Sequence, residues 1–257
     1  MKKIIAAVLA LVLSLSLLSA CKSDDLSSSG AKLPEIKITE EIKDFKNADG
    51  KVAYQVEYSL PELTTDVCSE YASTFINNYI KEFYLDPVFA FAEANVQNFR
   101  AEETEPRKIS VSHEIKYRSE NVISVVFKTA YSKASSVTEA RTFNLKDGSV
   151  ISFDELLRGT SDTAKEDVIL CIKDDAKNNF TDAPLTDEQL AKIDTAFDPV
   201  NFYFTNYGIY FMFNYGSVLE GFGASSGIYE YCLEWAWAHS LGLVASPEDM
   251  FNETTTA

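Results

Sequence analysis

Hydrophobic and polar positions change period several times along the chain, and each change marks an element. Over residues 36–63 they alternate: Val52, Tyr54, Val56 and Tyr58 interleave with Ala53, Gln55, Glu57 and Ser59. With the turn signal at Asn47, Asp49 and Gly50 before them, this predicts a β-hairpin. Pro61 and the Thr64, Thr65, Asp66 cluster close it. Val67, Tyr71, Phe75, Tyr79 and Phe83 then recur every four residues beside Ala72, Ile76 and Ile80. That spacing is an amphipathic helix with a wide apolar face, and its aromatic stripe is expected in the core. Asp86 and Pro87 stop or kink it and suit the start of a second helix reaching Phe99.

Alternation returns after a polar connection at 101–107. Ile109, Val111, His113, Ile115 and Tyr117 fall on one face of a strand that is buried on that side. A turn at 118–121 leads to Ile123, Val125, Phe127, Thr129 and Tyr131 on a second strand, and residues 138–145 supply a third, which predicts an antiparallel meander. Ser152 and Glu155 have capping-box spacing, with Ile151 stapling onto Leu156. Helices are expected over 163–177 and again from Thr186, where Gln189 repeats the box and Leu185 staples onto Leu190. Phe202 and Phe204 face Ile209, Phe211 and Phe213 across Asn206, Tyr207 and Gly208, a hairpin signal. A glycine- and serine-containing loop over 216–227 precedes a closing strand at 228–235. Strands with helices inserted between them make the predicted fold class α+β.

Composition narrows the function. Of 257 residues 46% are hydrophobic, and 39 acidic against 23 basic side chains give a formal net charge of −16. Such apolar content excludes wholesale disorder. No apolar run of membrane-spanning length follows residue 20, which excludes a polytopic membrane protein. An acidic surface argues against nucleic-acid binding, where phosphates are met by clustered Lys and Arg.

The N-terminus carries an address. Met1, Lys2 and Lys3 precede an apolar stretch of 15 residues (4–18), and Ser19 and Ala20 stand directly before Cys21. This pattern is that of a bacterial lipoprotein signal peptide over residues 1–20, with Cys21 as the lipidation site and the mature N-terminus. Residues 21–33 are then a lipidated flexible tether, and the acyl chains on Cys21 are the membrane contact of an extracytoplasmic protein anchored to the cell membrane. Cys68, Cys171 and Cys232 remain, in apolar contexts that favour buried free thiols over a disulfide.

Chemistry-bearing constellations are sparse. His113 lies on an apolar strand face, where a core histidine is the expectation, and His239 has no second histidine at helical spacing. Glu102, Glu103 and Glu105, or Asp174 and Asp175, could serve as paired carboxylates, but charge runs of this kind usually form solvated faces. There is no nucleophile elbow and no P-loop, so no catalytic residue, metal or cofactor is assigned. The remaining candidate is a surface. Tyr207, Tyr215, Phe222, Tyr229, Trp235 and Trp237 cluster around the C-terminal hairpin and its loop, and Phe222 between two glycines is hard to bury. Phe222 and neighbouring Glu220, with Tyr215 and Tyr229, are therefore the expected ligand-binding residues.

The stretch Phe143-Asn-Leu-Lys-Asp-Gly-Ser-Val-Ile-Ser-Phe-Asp-Glu-Leu-Leu157 resembles a segment of the RsiV-like domain, domain of unknown function 3298, and Asn206-Tyr-Gly-Ile-Tyr-Phe-Met-Phe213 resembles its C-terminal hairpin. The strand end at Tyr58-Ser-Leu-Pro61 and Phe75-Ile-Asn-Asn78 on the helix are similar to the companion domain of PdaC-type proteins, domain of unknown function 4163. The resemblance implies a PdaC-type module over 34–105, an RsiV-like module over 106–240 and a C-terminal tail over 241–257. It implies a cell-envelope protein that binds or senses a wall glycan or a wall-attacking protein such as lysozyme, and is not an enzyme. The Gly-Gly-Ala-His run of many family members is replaced here by Ser132-Lys-Ala-Ser-Ser-Val137. The alternative is a carboxylate-based hydrolase acting on envelope glycans.

Overall fold

A computed structural model describes residues 33–100, 102–132, 135–158, 163–179, 185–214 and 228–251. Cys21, Tyr215, Glu220 and Phe222 lie outside these described residues. The fold is α+β, built on a five-stranded sheet in the order β1-β2-β3-β4-β5 and a three-stranded sheet in the order β6-β7-β8.

Strands β1 (Lys37–Lys46) and β2 (Val52–Glu62) form the expected hairpin, antiparallel from Lys37 against Glu62 to Phe45 against Tyr54. Asn47 caps the turn by accepting from the Asp49 and Lys51 amides. Helix α1 (Glu70–Ile80) follows, then a π-helical turn over Lys81–Leu85 and helix α2 (Asp86–Asn95) with Pro87 in its first turn. The meander comprises β3 (Arg107–Arg118), β4 (Val122–Ser132) and β5 (Ser135–Asn144), all antiparallel.

The junction between hairpin and meander is parallel, with Val56 against Ile109 and Tyr58 against Val111. A parallel pair needs a long crossover, and α1 with α2 supplies it. The expected module boundary at 105/106 thus falls at a seam inside one sheet, and Leu33–Ala257 forms one compact unit.

The sheet is covered on both sides. Helices α1 and α2 close one face over Ile109, Val111, Ile123, Val125, Phe127 and Phe143. On the other face sits the second sheet, β6 (Phe202–Phe204), β7 (Gly208–Asn214) and β8 (Ile228–Glu234), with the helices α3 (Ala164–Asn179), α4 (Asp187–Ala196) and α5 (Trp235–Ser240). Two hydroxyls fix this layer: Ser124 Oγ accepts from the Phe204 amide at 3.0 Å, and Thr142 Oγ1 donates to the Phe202 carbonyl at 3.1 Å. Both capping boxes form, at Ser152 with Glu155 and at Thr186 with Gln189, and their staples Ile151–Leu156 and Leu185–Leu190 are buried together.

Three local expectations change. Tyr117 does not share a face with Ile109: an irregularity in pairing between Ile115 and Tyr117 shifts the alternation by one, so Tyr117 turns to the opposite core, against Phe204, where its hydroxyl donates to Glu248. Residues 241–251 are packed, with Leu243 bridged to Leu157 and Val244 buried beside it. Of the aromatic stripe, Tyr71, Phe75 and Phe83 stay outside the core, whereas Tyr79 packs against it beside Phe143.

Candidate functional site

Helix α1 has two adjacent apolar stripes, and only one can face the sheet. The stripe that goes in is Ala72, Ile76 and Ile80, with Ser73. Its rotation is fixed from both ends. Asn77 clamps the end of β2, its Oδ1 accepting from the Leu63 amide at 2.9 Å while its Nδ2 donates to the Leu63 carbonyl at 2.8 Å. Ser69 caps the helix by accepting from the Ala72 amide at 3.1 Å. The turn after β5 presses on the same helix at Gly148, which has φ +80° and lies so close that a Cβ there would stand 2.8 Å from the Ala72 carbonyl oxygen.

This rotation leaves most of the other stripe in solvent, with Tyr79 half-buried against Phe143. Tyr71 is 69% exposed, Phe75 46% and Phe83 54%. Tyr71 and Phe75 lie 6.5 Å apart between ring centroids, and Tyr79 stacks on Phe83 at 4.3 Å. Successive members at a four-residue spacing rise about 6 Å along the axis, so the ridge extends about 18 Å.

At its far end the π-helical turn changes the register and sends Tyr84 inward, where its ring stacks on Phe127 at 4.0 Å. Burial pushes the Tyr84 hydroxyl well above the usual phenol range, and among the described residues that hydroxyl has no hydrogen-bond partner. Beside it lies Arg141 on β5, only 8% exposed. Arg141 Nε donates to the Tyr79 hydroxyl at 3.0 Å and a terminal nitrogen donates to the Ala140 carbonyl at 2.7 Å. The carboxylates of Glu139 and Asp198 stand 3.8 and 3.9 Å from its other nitrogen, beyond hydrogen-bond length. Burial disfavours the cation, but the surrounding tyrosines and Glu139 outweigh it and hold Arg141 above its usual range.

The arrangement offers flat apolar faces beside two partly exposed carboxylates. Such a surface suits a partner that brings cationic and aromatic groups, through cation–π contacts and ion pairs. Among the described residues no cluster of His, Cys, Asp and Glu could hold a metal ion.

Of the residues expected to bind a ligand, Tyr229 is the one the structure describes. It is 6% exposed, and its hydroxyl donates to the Ile172 carbonyl and to Asp175 at 3.1 and 2.7 Å, which makes it a core residue tying β8 to α3. Trp235 is half-buried with Nε1 donating to the Thr205 carbonyl, whereas Tyr207 and Trp237 are exposed. His113 is half-buried, on the apolar face its strand position suggested. Cys68, Cys171 and Cys232 are free thiols.

No family model matches the sequence, and no curated protein matches it. Among solved structures, a DUF3298 family protein from Pseudomonas aeruginosa PAO1 is similar at TM-score 0.53 and 11% identity, over 84% of this chain and 96% of that one. The chain shares the fold of that DUF3298 protein. A member of the same family from Bacteroides fragilis NCTC 9343 aligns over the same shares at TM-score 0.43 and 13% identity. The Pseudomonas likeness covers more of the chain than residues 106–240 alone, so it reaches into both halves of the molecule.

Proposed function

We propose that the protein is a cell-envelope lipoprotein, anchored through Cys21, whose folded body is a non-enzymatic docking module for a wall-attacking protein such as lysozyme. The observation that supports this reading is the exposed ridge. Tyr71, Phe75 and Phe83 contribute little to the fold, and aromatic side chains at the centre of an interface supply much of its binding free energy. Charge favours a protein over the wall itself: a formal net charge of −16 attracts a basic partner and repels an anionic polymer.

The test measures binding of lysozyme and, separately, of muropeptides to the purified chain at low salt and at about 0.5 M, where the Debye length is about 4 Å. Lysozyme binding should survive the high salt, and the double substitution Phe75→Ala and Phe83→Ala should weaken it at least about tenfold. Binding of muropeptides without lysozyme would move the partner to wall glycan, and binding of neither would overturn the reading.

A further inference from the structure

A second site stands apart from the ridge, and its argument is independent of it. The three-stranded sheet packs on the outer face of the meander around a small apolar contact of Val126, Ala140, Tyr203 and Met212. Beyond that contact the two sheets flank an open cleft of about 270 Å³. The strand register orders its walls. Ser112, Lys128 and Thr138 form one cross-strand row over β3, β4 and β5, and Glu114, Val126 and Ala140 form the next. Opposite them Met212 pairs with Glu230 across β7 and β8.

The cleft is electrically polarised along the strands. In the first row an ammonium stands between two hydroxyl-bearing side chains, and among the described residues no carboxylate lies within ion-pair distance of Lys128. At the other end are two carboxylates, Glu230, which accepts from the Tyr203 hydroxyl at 3.2 Å, and Glu114, which pairs with Lys116 at 2.8 Å. Both carboxylates and burial push the Tyr203 phenol up, burial most, so this hydroxyl stays a donor between them. Lining charges therefore balance, two acidic against two basic: Lys128 leaves one end positive, while Glu230 and Glu114 with Lys116 leave the other net negative.

We propose that this cleft binds a short zwitterionic peptide of about dipeptide size, with its carboxylate against Lys128, Ser112 and Thr138 and its ammonium against Glu230 and Glu114. The spacing selects the length. Rows two residues apart on a strand are about 6.6 Å apart, and two extended residues span about 6.6–7.2 Å. A single amino acid, with both charges on one carbon, cannot reach both ends. The volume, just below the roughly 300–1,000 Å³ of pockets for drug-sized ligands, sets the upper limit. Val126 and Met212 supply an apolar floor that accepts small side chains.

The test follows the Met212 methyl resonance of the full chain by NMR during titration with L-alanyl-L-alanine, with Met212→Leu to assign the signal. A saturable shift on the order of millimolar is expected. N-acetylation of the peptide, which removes the cation, and amidation, which removes the anion, should each weaken it at least about tenfold, as should Glu230→Gln and Lys128→Met. Unchanged melting temperatures in both variants separate lost binding from lost folding. No shift, or equal shifts with the blocked peptides or in the variants, would overturn the proposal. Phe75→Ala should leave this titration untouched, so failure here and failure of the ridge are distinguishable.

Discussion

His113 donates its Nδ1–H to the Ser59 carbonyl at 2.8 Å, which fixes the neutral tautomer, because a carbonyl can only accept. Burial lowers its pKa below the ordinary value, against the smaller opposing effects of that hydrogen bond and of Glu40. The unfolded chain then binds a proton at a higher pH than the folded one. Stability contributed by the neutral ring is complete above about pH 6.5 and is lost as pH falls through that value towards the lower folded pKa. Between about pH 6.5 and 5 most carboxylates stay ionised, so the slope of stability in that window belongs mainly to His113. Urea unfolding across the window should show stability falling towards acid in the parent chain and a flatter profile in His113→Gln; identical profiles would contradict the assignment. The inward placement of half-buried His113 was legible from strand alternation. The reversal of Tyr117, four residues on, was not, since an irregularity in pairing depends on the partner strand.

Helix α1 makes the contrast between position and residue type measurable. Ile76 lies on the buried stripe with no exposed surface, while Phe75, one residue earlier and larger, is nearly half exposed. Ile76→Ala should cost roughly 2–5 kcal/mol of stability by opening a cavity. Phe75→Ala should stay within about 0.5 kcal/mol. Thermal or denaturant melts decide it, and a large loss in Phe75→Ala would mean that the stripe belongs to the core after all. The repeat at 71, 75, 79 and 83 was plain in the sequence, but so was the stripe at 72, 76 and 80. By side-chain size the aromatic stripe has more surface to bury. Asn77, Ser69 and Gly148 settle the rotation the other way, and two of these contacts are non-local, Asn77 reaching back 14 residues to Leu63 and Gly148 pressing on Ala72.

For the whole molecule the parallel pairing of β2 with β3 is decisive, because it makes the two halves share one sheet. Residues 106–251 alone would lose α1 and α2 and expose Ile109, Val111, Ile123, Val125, Phe127 and Phe143, together with the unpaired edge of β3. This fragment should fail to unfold cooperatively and should aggregate, as exposed apolar faces and strand edges do. A sharp two-state transition in the isolated fragment would show instead that the halves are separable. Among the described residues no helix is long and apolar enough to cross a membrane.

The sequence by itself determined the order and type of the elements, because period, caps, staples and turn signals are local. The hairpin, the long helix, the meander, both capping boxes and the Phe202–Phe213 hairpin needed only neighbours within about ten residues. Tertiary structure decided which apolar stripe of α1 faces solvent, that β2 and β3 run parallel, that Tyr229 is a tie within the core, and that the two sheets part around Lys128 and Glu230. Each of these depends on a partner far along the chain, and free energy is set by the pair that meets. A residue's own hydrophobicity fixes what it can contribute to a contact, but not which contact it makes.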